Sequence, residues 1–351
     1  MSNLAQLVAH HELGGRADAP ALLFLHPNSL CGRVFQPMVQ QLGQHFRCIA
    51  LDAPGHGCSP AWPGELPSSY APLLDCVQAK IEELGLLGCC VFGQSMGGSI
   101  ALSLEQRQPG TFKALYLFEP VAATASSMAA REEEEEEEEG QGARATGGSR
   151  IGSAAASVAM CKILVDGARR RRTHWASAEQ AAAQLRSKPP YSAWHADCFT
   201  AYLECGLNPV LSQLSQPPQL TPSNSVTTQA AATESKFTNS KDGSGKGQGG
   251  VELSCSRAME EVGYLLNQPP VKVLPHRLLC PMAWAVGRTL PGVPGILPRL
   301  AACSVLEVPK AQLRRFPTLS HFGAQEDPQG VAADVLAFFF ALPCSGTVSR
   351  L

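Results

Sequence analysis

One serine of this chain lies between glycines, in a sequence context typical of a catalytic nucleophile. Residues 91–100 read VFGQSMGGSI, with Ser95 at the centre of a G-x-S-x-G pattern that runs from Gly93 to Gly97. A strand-like run ends at Gly93 and a helix-like run begins after Ser95, which is the context in which this pattern carries a catalytic serine. Small residues are needed on both sides because a serine on a tight strand-to-helix turn has strained backbone angles. The pattern therefore favours a nucleophile over a serine in a structural turn.

A serine hydroxyl is weakly nucleophilic at neutral pH, so a histidine base is required, usually with a carboxylate that orients it. Among the nine histidines, His321 has the most suitable context, because it lies in a loop before a helix that starts near Pro328. The turn at Ser95 also directs the Met96 N–H, at the positive end of the following helix, towards the place where an oxyanion would form. His321 is the candidate base and Met96 a candidate oxyanion donor.

These residues depend on a sheet to bring them together. Short apolar runs alternate with helix-like segments in the first third of the chain, a pattern typical of a mostly parallel sheet with crossover helices. The alternation stops near Val121 and returns after Pro270, which indicates an insertion with helix-like segments at Ala176–Ser187, His195–Gly206 and Ser256–Gln268. The predicted strands are Ala21–His26, Arg47–Leu51, Cys90–Gly93, Ala114–Glu119, Pro281–Gly287 and Ser304–Pro309.

The predicted organisation is a core in two parts around a cap. The parts are core residues 1–120, a helical cap insertion at 121–270, core residues 271–343 and a tail at 344–351. Two stretches of the cap, near 125–150 and 212–250, are predicted to be disordered. The first contains eight consecutive glutamates, Glu132–Glu139, which repel one another, and the second is rich in Ser, Thr, Gln and Gly.

Four segments resemble the signature segments of the α/β-hydrolase fold superfamily in order and spacing. They are FLHPNSLCGRVFQPMVQQL, RCIALDAPGHGCSP, VFGQSMGGSIAL and SHFGAQEDP, and the similarity covers about Ala21–Pro120 and Leu279–Leu342. The cap pieces SKPPYSAWHADCFTAYLECG and GGVELSCSRAMEEV look like segments of uncharacterised bacterial-type α/β-hydrolases. The resemblance implies an α/β fold and a serine hydrolase with Ser95 as nucleophile and His321 as general base. It also implies a second oxyanion donor in the loop at Asn28.

The catalytic acid is not where most members of that family carry it. They have Gly-x-x-Asp after the strand that matches PMAWAVG, whereas residues 287–290 here are Gly-Arg-Thr-Leu. Some members place the acid at the end of the strand that follows the nucleophile helix, and Glu119 stands there. The resemblance thus makes Glu119 the predicted acid. If Glu119 only caps a loop, the site is a Ser–His dyad.

Composition excludes several other classes of function. A net charge of -2, from 28 Lys and Arg against 30 Asp and Glu, argues against a nucleic-acid-binding surface. The run Arg169–Arg172 is interpreted as a solvated or glutamate-paired face.

Thirteen cysteines without a Cys-x-x-Cys pair indicate buried thiols in a reducing compartment, and neither a metal site nor another cofactor is predicted. Asp52 is expected to brace a turn. No signal sequence or membrane span is predicted, since apolar runs stay well below about 20 residues.

The predicted reaction is hydrolysis of a carboxylic ester or thioester through an acyl-enzyme intermediate. The apolar residues of the cap indicate a small to medium apolar acyl substrate. The terminal Ser349-Arg350-Leu351 resembles the Ser-Lys-Leu address, which favours a peroxisomal import receptor as partner and a peroxisomal over a cytoplasmic location. The alternative function is a catalytically silent α/β-hydrolase scaffold that binds a ligand or partner through its cap.

Overall fold

The computed structural model describes residues 4–124, 153–210, 250–288 and 296–342. The glutamate run, most of the second low-complexity stretch and the terminal Ser-Arg-Leu lie outside these residues, so the expectations for them stay predictions. In the described part of the chain, no helix is long and apolar enough to cross a membrane.

A seven-stranded sheet forms the centre of the described structure. The strands are β1 (Ala9–Gly15), β2 (Ala21–Leu25), β3 (Arg47–Asp52), β4 (Cys90–Gln94), β5 (Ala114–Phe118), β6 (Ala122–Thr124), β7 (His174–Trp175), β8 (Leu207–Pro209), β9 (Val251–Leu253), β10 (Val271–Val273), β11 (Met282–Val286) and β12 (Ala311–Arg315). The central sheet has the order β1-β3-β2-β4-β5-β11-β12. Every pair in it is parallel except the edge pair β1–β3, which confirms the predicted mostly parallel sheet.

Helices cover both faces of this sheet. They are α1 (Val39–Leu42), α2 (Ala71–Glu83), α3 (Met96–Arg107), α4 (Ser153–Arg170), α5 (Ala178–Arg186), α6 (Ala196–Gly206), α7 (Arg257–Leu266), α8 (Ile296–Glu307), α9 (Gly323–Glu326) and α10 (Pro328–Phe340), with 3-10 turns at Ala5–Leu7, Gly32–Met38, Tyr191–Ala193 and Pro275–Arg277. Successive side chains of β2 enter opposite layers: Phe24 packs in the cluster that includes Val335 of α10, and Leu23 in the cluster that includes Val77 of α2. Burial on both faces explains why the central strands read as continuous apolar runs.

The middle of the chain forms the helices α4 to α7 and two small sheets. The small sheets pair β7-β9-β8 and β6-β10. Helix α5 begins after Ser177, whose side chain accepts from the Gln180 N–H, and α7 begins after Ser256, whose side chain accepts from the Met259 N–H. These serine caps supply acceptors for N–H groups of the first turn. The three helices expected in the insertion are therefore confirmed, whereas the domain boundaries stay a prediction.

The strand predicted at Ser304–Pro309 is wrong. Residues up to Glu307 belong to α8, and the edge strand β12 begins only at Ala311. Ala301, Ser304 and Val308 are the buried residues of this region, at intervals of three and four. That spacing marks one face of a helix, and a short apolar run alone does not distinguish it from a strand.

The connection from β4 to α3 crosses β2 at very close range. A Cβ atom added to Gly97 would lie 2.1 Å from the main-chain oxygen of Leu25, and one on Gly93 would lie 2.9 Å from the Cα of Gly98. Both neighbours are backbone atoms of buried residues, one in β2 and one in α3, so they have little room to move. This confirms the steric reason given for the glycines of the G-x-S-x-G pattern.

We expect Gly97→Ala to destabilise the protein by about 3 kcal/mol or more, since the added methyl group meets backbone in a packed layer. The matched control is Gly167→Ala at an exposed position of helix α4, where nothing lies within 4 Å of an added Cβ. That variant should gain about 0.5–1 kcal/mol from helix propensity. Urea unfolding followed by circular dichroism measures both, and equal midpoints for the two variants would contradict the packing argument.

Candidate active site

Ser95 occupies the sharp turn between β4 and α3. Its backbone has φ 54° and ψ -120°, in the region that a residue with a side chain rarely adopts. The Ser95 N–H donates to the main-chain oxygen of Phe118 at 3.0 Å, which fixes the turn to the end of β5. Met96 is the first residue of α3, where N–H groups have no partner within the helix. The strained turn predicted from the sequence is confirmed at the level of the backbone.

His321 and Glu119 meet although 202 residues separate them. Nδ1 of His321 donates to Oε2 of Glu119 at 2.7 Å, and the other carboxylate oxygen accepts from the Gly287 N–H at 2.7 Å. Glu119 directly follows β5 and its side chain is buried, with 4% exposure, whereas the His321 side chain keeps 29% exposure. Both oxygens of the buried carboxylate are therefore satisfied, and one of them orients the imidazole.

Ser95 and His321 lie at the same carboxyl edge of the sheet. Gln94, the residue before Ser95, donates through Nε2 to the main-chain oxygen of His321 at 2.8 Å. Phe118 accepts from the Ser95 N–H and is followed by Glu119, the partner of the imidazole. Among the described residues, no hydrogen bond joins the Ser95 hydroxyl to the ring of His321, a contact that often tightens only when substrate binds.

Hydrogen bonds from residues that were not predicted from the sequence hold the loop that carries His321. The amides of Gln94 and Gln325 exchange hydrogen bonds of 3.0 and 2.9 Å, and both side chains are fully buried. The carboxylate of Glu326 accepts from the N–H of Ser320 at 2.9 Å and from its hydroxyl. Gln94 occupies a variable position of the motif, so local pattern carries no signal for this contact. Gln94 and Gln325 are 231 residues apart, so no sequence spacing links them either.

Asn28 lies next to the site, and the cap engages its side chain. Nδ2 donates to the main-chain oxygen of Glu260 at 2.8 Å, and Oδ1 lies 3.1 Å from Nε2 of His56. Burial lowers the pKa of His56 to about 3, so this ring is neutral at pH 7. A Cβ on Gly263 would come within 2.2 Å of Oδ1, so α7 sits directly on the amide. The cap thus engages one Nδ2 proton of Asn28, and its main-chain N–H is the candidate oxyanion donor.

The fold agrees with comparisons to known proteins. The family model for the alpha/beta hydrolase fold matches residues 20–142, which include Ser95 and Glu119 but not His321. The solved structure of E-2-(acetamidomethylene)succinate hydrolase superimposes with a TM-score of 0.62 at 15% identity, over 95% of this chain and 99% of that one. The described part of the chain therefore has the α/β-hydrolase fold.

Curated relatives match the first part of this chain. The magnesium-chelatase 30 kDa subunit of Rhodobacter capsulatus is 35% identical over 119 residues, which is 32% of this chain and 42% of that protein. The sn-1-specific diacylglycerol lipase ABHD11 of Mus musculus is 33% identical over 130 residues, 34% of this chain and 39% of that protein. The chain thus spans about two fifths of the length of these relatives.

A largely buried ion pair joins the segment after α4 to helix α7. The guanidinium of Arg171 donates to Oε2 of Glu260 at 2.8 Å and to the hydroxyls of Tyr191 at 2.6 Å and Tyr202 at 3.1 Å. Arg169 forms a second pair with Glu261, with Nε 3.0 Å from Oε2. The interpretation of the arginine run as a glutamate-paired face is confirmed for these two arginines.

A cavity of about 460 Å³ lies between the cap and the candidate site. It borders the site through Asn28 and Phe322, the residue after His321, whereas Ser95 and His321 are not among its described lining residues. Its lining combines aromatic rings with the cationic side chains of Arg170, Arg172 and Lys188. No carboxylate of the described residues forms an ion pair with these three cations, so the wall of the cavity carries positive charge.

Proposed function

We propose that this α/β-hydrolase cleaves a carboxylic ester or thioester through an acyl-enzyme intermediate on Ser95. The observation that carries the proposal is the 2.7 Å hydrogen bond between Glu119 and Nδ1 of His321, at the sheet edge where Ser95 occupies its strained turn. The diacylglycerol lipase among the relatives supports an ester as the bond that is cleaved. The intact Ser95 and His321 favour this function over a silent scaffold.

The proposed mechanism follows from the positions of the donors and acceptors. Nε2 of His321 removes the proton from the Ser95 hydroxyl while its oxygen attacks the carbonyl carbon, and Glu119 stabilises the resulting imidazolium through Nδ1. The main-chain N–H groups of Met96 and Asn28 bind the oxyanion. The imidazolium then protonates the departing alcohol or thiol. A water molecule, deprotonated by His321, releases the acid and restores Ser95.

The lining of the cavity supports a substrate with an acidic end, in place of the small to medium apolar substrate that the sequence predicts. Aromatic side chains of Tyr191, Tyr264 and Phe322 provide apolar contact area along its wall. The exposed ammonium of Lys188 and the guanidinium groups of Arg170 and Arg172 provide positive charge. We propose an acyl chain whose reacting carbonyl lies at Ser95 and whose far end carries a carboxylate or phosphate.

A fluorophosphonate probe tests the nucleophile. We expect the folded protein to be labelled once per chain, and Ser95→Ala to abolish labelling, because only an activated serine reacts rapidly. Ser103→Ala on the same helix is the matched control and should keep the label. Intact-mass spectrometry counts the adducts. A folded wild-type chain that takes no label would instead support the scaffold function.

Variants of Glu119 test the acid. Glu119→Gln keeps the size of the side chain but presents an amide N–H to the ring and favours the wrong tautomer of His321, so kcat should fall by about 10³- to 10⁴-fold. KM should stay nearly unchanged, since substrate contacts remain. Glu119→Ala should be similarly impaired, whereas Glu261→Gln on the cap surface should be fully active. Near-normal turnover in both Glu119 variants would reduce the site to a Ser–His dyad.

Paired p-nitrophenyl esters of equal chain length, ending in a methyl group or in a carboxylate, test the acidic end of the substrate. We expect kcat/KM about 10-fold higher for the carboxylate series, the effect of one solvent-screened charge contact. Lys188→Ala and added salt should both reduce this preference. If the methyl series is favoured and Lys188→Ala has no effect, the substrate is apolar, as the sequence alone predicted.

A further inference from the structure

Four side chains with metal-binding atoms converge beside the sheet. His11 lies in the edge strand β1, Asp52 ends β3, Cys58 follows in the next turn and Cys205 lies in cap helix α6. Nε2 of His11, a carboxylate oxygen of Asp52 and the two Sγ atoms all lie within 4.8 Å of one another. The hydrolase mechanism uses none of these four residues.

The spacing of the four atoms is close to that of a tetrahedral metal site. The Sγ atoms of Cys58 and Cys205 are 3.3 Å apart, and Sγ of Cys205 lies 3.7 Å from Nε2 of His11 and 3.4 Å from Oδ2 of Asp52. Nε2 and Oδ2 are 2.7 Å apart. A tetrahedral ion with bonds of about 2.0–2.3 Å keeps its ligand atoms about 3.3–3.8 Å apart. Small side-chain shifts, such as a separation of His11 Nε2 from Asp52 Oδ2, would therefore complete the coordination sphere.

We propose that His11, Asp52, Cys58 and Cys205 bind one Zn²⁺ ion in a closed, structural site. Two thiolates with one imidazole favour zinc over magnesium or calcium, which prefer oxygen ligands. Four protein ligands leave no open position for a substrate, which is the pattern of structural rather than catalytic zinc. This proposal does not depend on the hydrolase function.

The protons and the supporting contacts are accounted for. On binding, the thiols of Cys58 and Cys205 release their protons to solvent, and the His11 ring keeps its proton on Nδ1 so that Nε2 is free to coordinate. The N–H groups of Gly32 and Cys58 donate to the Asp52 carboxylate at 2.6 and 2.7 Å and orient it. Such supporting hydrogen bonds are typical of metal ligands. Cys58 is exposed and provides the entry path for the ion.

The site would connect the cap to the sheet. Three ligands come from the core, on β1, on β3 and in the turn that follows β3, and the fourth comes from the last turn of α6. Because metal binds the folded arrangement and not the unfolded chain, its binding stabilises the closed contact between these parts. Zinc would thereby fix the position of α6, whose residues Tyr202 and Phe199 pack among the cap aromatics.

Cobalt binding to the full, reduced chain tests the proposal. We expect one Co²⁺ per chain, with thiolate-to-cobalt charge-transfer bands and the visible bands of tetrahedral coordination, and displacement of both by Zn²⁺. Cys58→Ser, Cys205→Ser and His11→Ala should each lose the signal at equimolar cobalt. Cys303→Ser, a partly buried cysteine on α8 outside the group, is the matched control and should keep it. Zinc should also raise the thermal midpoint of the wild-type chain, and a chelator should reverse the rise.

A reductant is required because thiols 3.3 Å apart can oxidise to a disulfide, which would remove two ligands. Circular dichroism establishes that each variant is folded. Of the cysteine variants, Cys58→Ser should disturb folding least, because Cys58 is exposed. The proposed zinc site is overturned if the reduced, folded wild-type chain binds no cobalt, whether or not the chain later forms a disulfide. Bands that survive Cys58→Ser and Cys205→Ser would overturn it as well.

Discussion

The buried carboxylate of Glu119 is the interaction on which the arrangement of the sheet edge depends. It follows β5, accepts from Gly287 after β11 and binds His321 in the loop after β12, so it joins the ends of three strands. A buried carboxylate without partners is costly, and this one is tolerated because both oxygens are hydrogen-bonded. Glu119 also has φ 44°, a strained conformation that persists only where its surroundings enforce it. The loop with His321 therefore has one well-defined place, beside the turn of Ser95.

The opposite side of the site depends on close contacts between backbone and glycine. Gly97 lets α3 start against the oxygen of Leu25, which positions the first N–H groups of that helix at the strand ends. Gly263 lets α7 rest on the amide of Asn28 in the same way. Because α7 also carries Glu260, the partner of Arg171, the loop at Asn28 is coupled to the polar core of the cap. The candidate oxyanion donors are thus positioned by contacts that leave no room for a methyl group.

Much of this could be predicted because the signals are local. Strands buried on both faces are short apolar runs, and a strained turn shows itself through glycines at fixed spacing, so β4, α3 and Ser95 are readable from the sequence. Glu119 was predicted as the acid because some members of the similar family carry their acid at the end of the strand that follows the nucleophile helix. Two features were not predictable from local sequence. The apolar run Ser304–Pro309 is too short to distinguish a helix from a strand. The contact between Gln94 and Gln325 joins residues that are 231 positions apart. His11, Asp52, Cys58 and Cys205 likewise lack any common motif spacing, which explains why no metal site was predicted.

The candidate catalytic residues and most of the cavity lining come from different parts of the chain. The region that matches the family model contains Ser95 and Glu119, whereas the cations and most aromatic residues of the cavity come from the cap. A fold shared by many hydrolases therefore does not define the substrate. Helix α6 connects the two parts: the His195 N–H at its start donates to the oxygen of Gln325 at 2.7 Å, and Cys205 at its end contacts Asp52. Gln325 also binds Gln94, and Gln94 binds the main-chain oxygen of His321, so a shift of α6 would be transmitted to the loop of His321. The cap therefore contributes to the geometry of the candidate site as well as to the lining of the cavity.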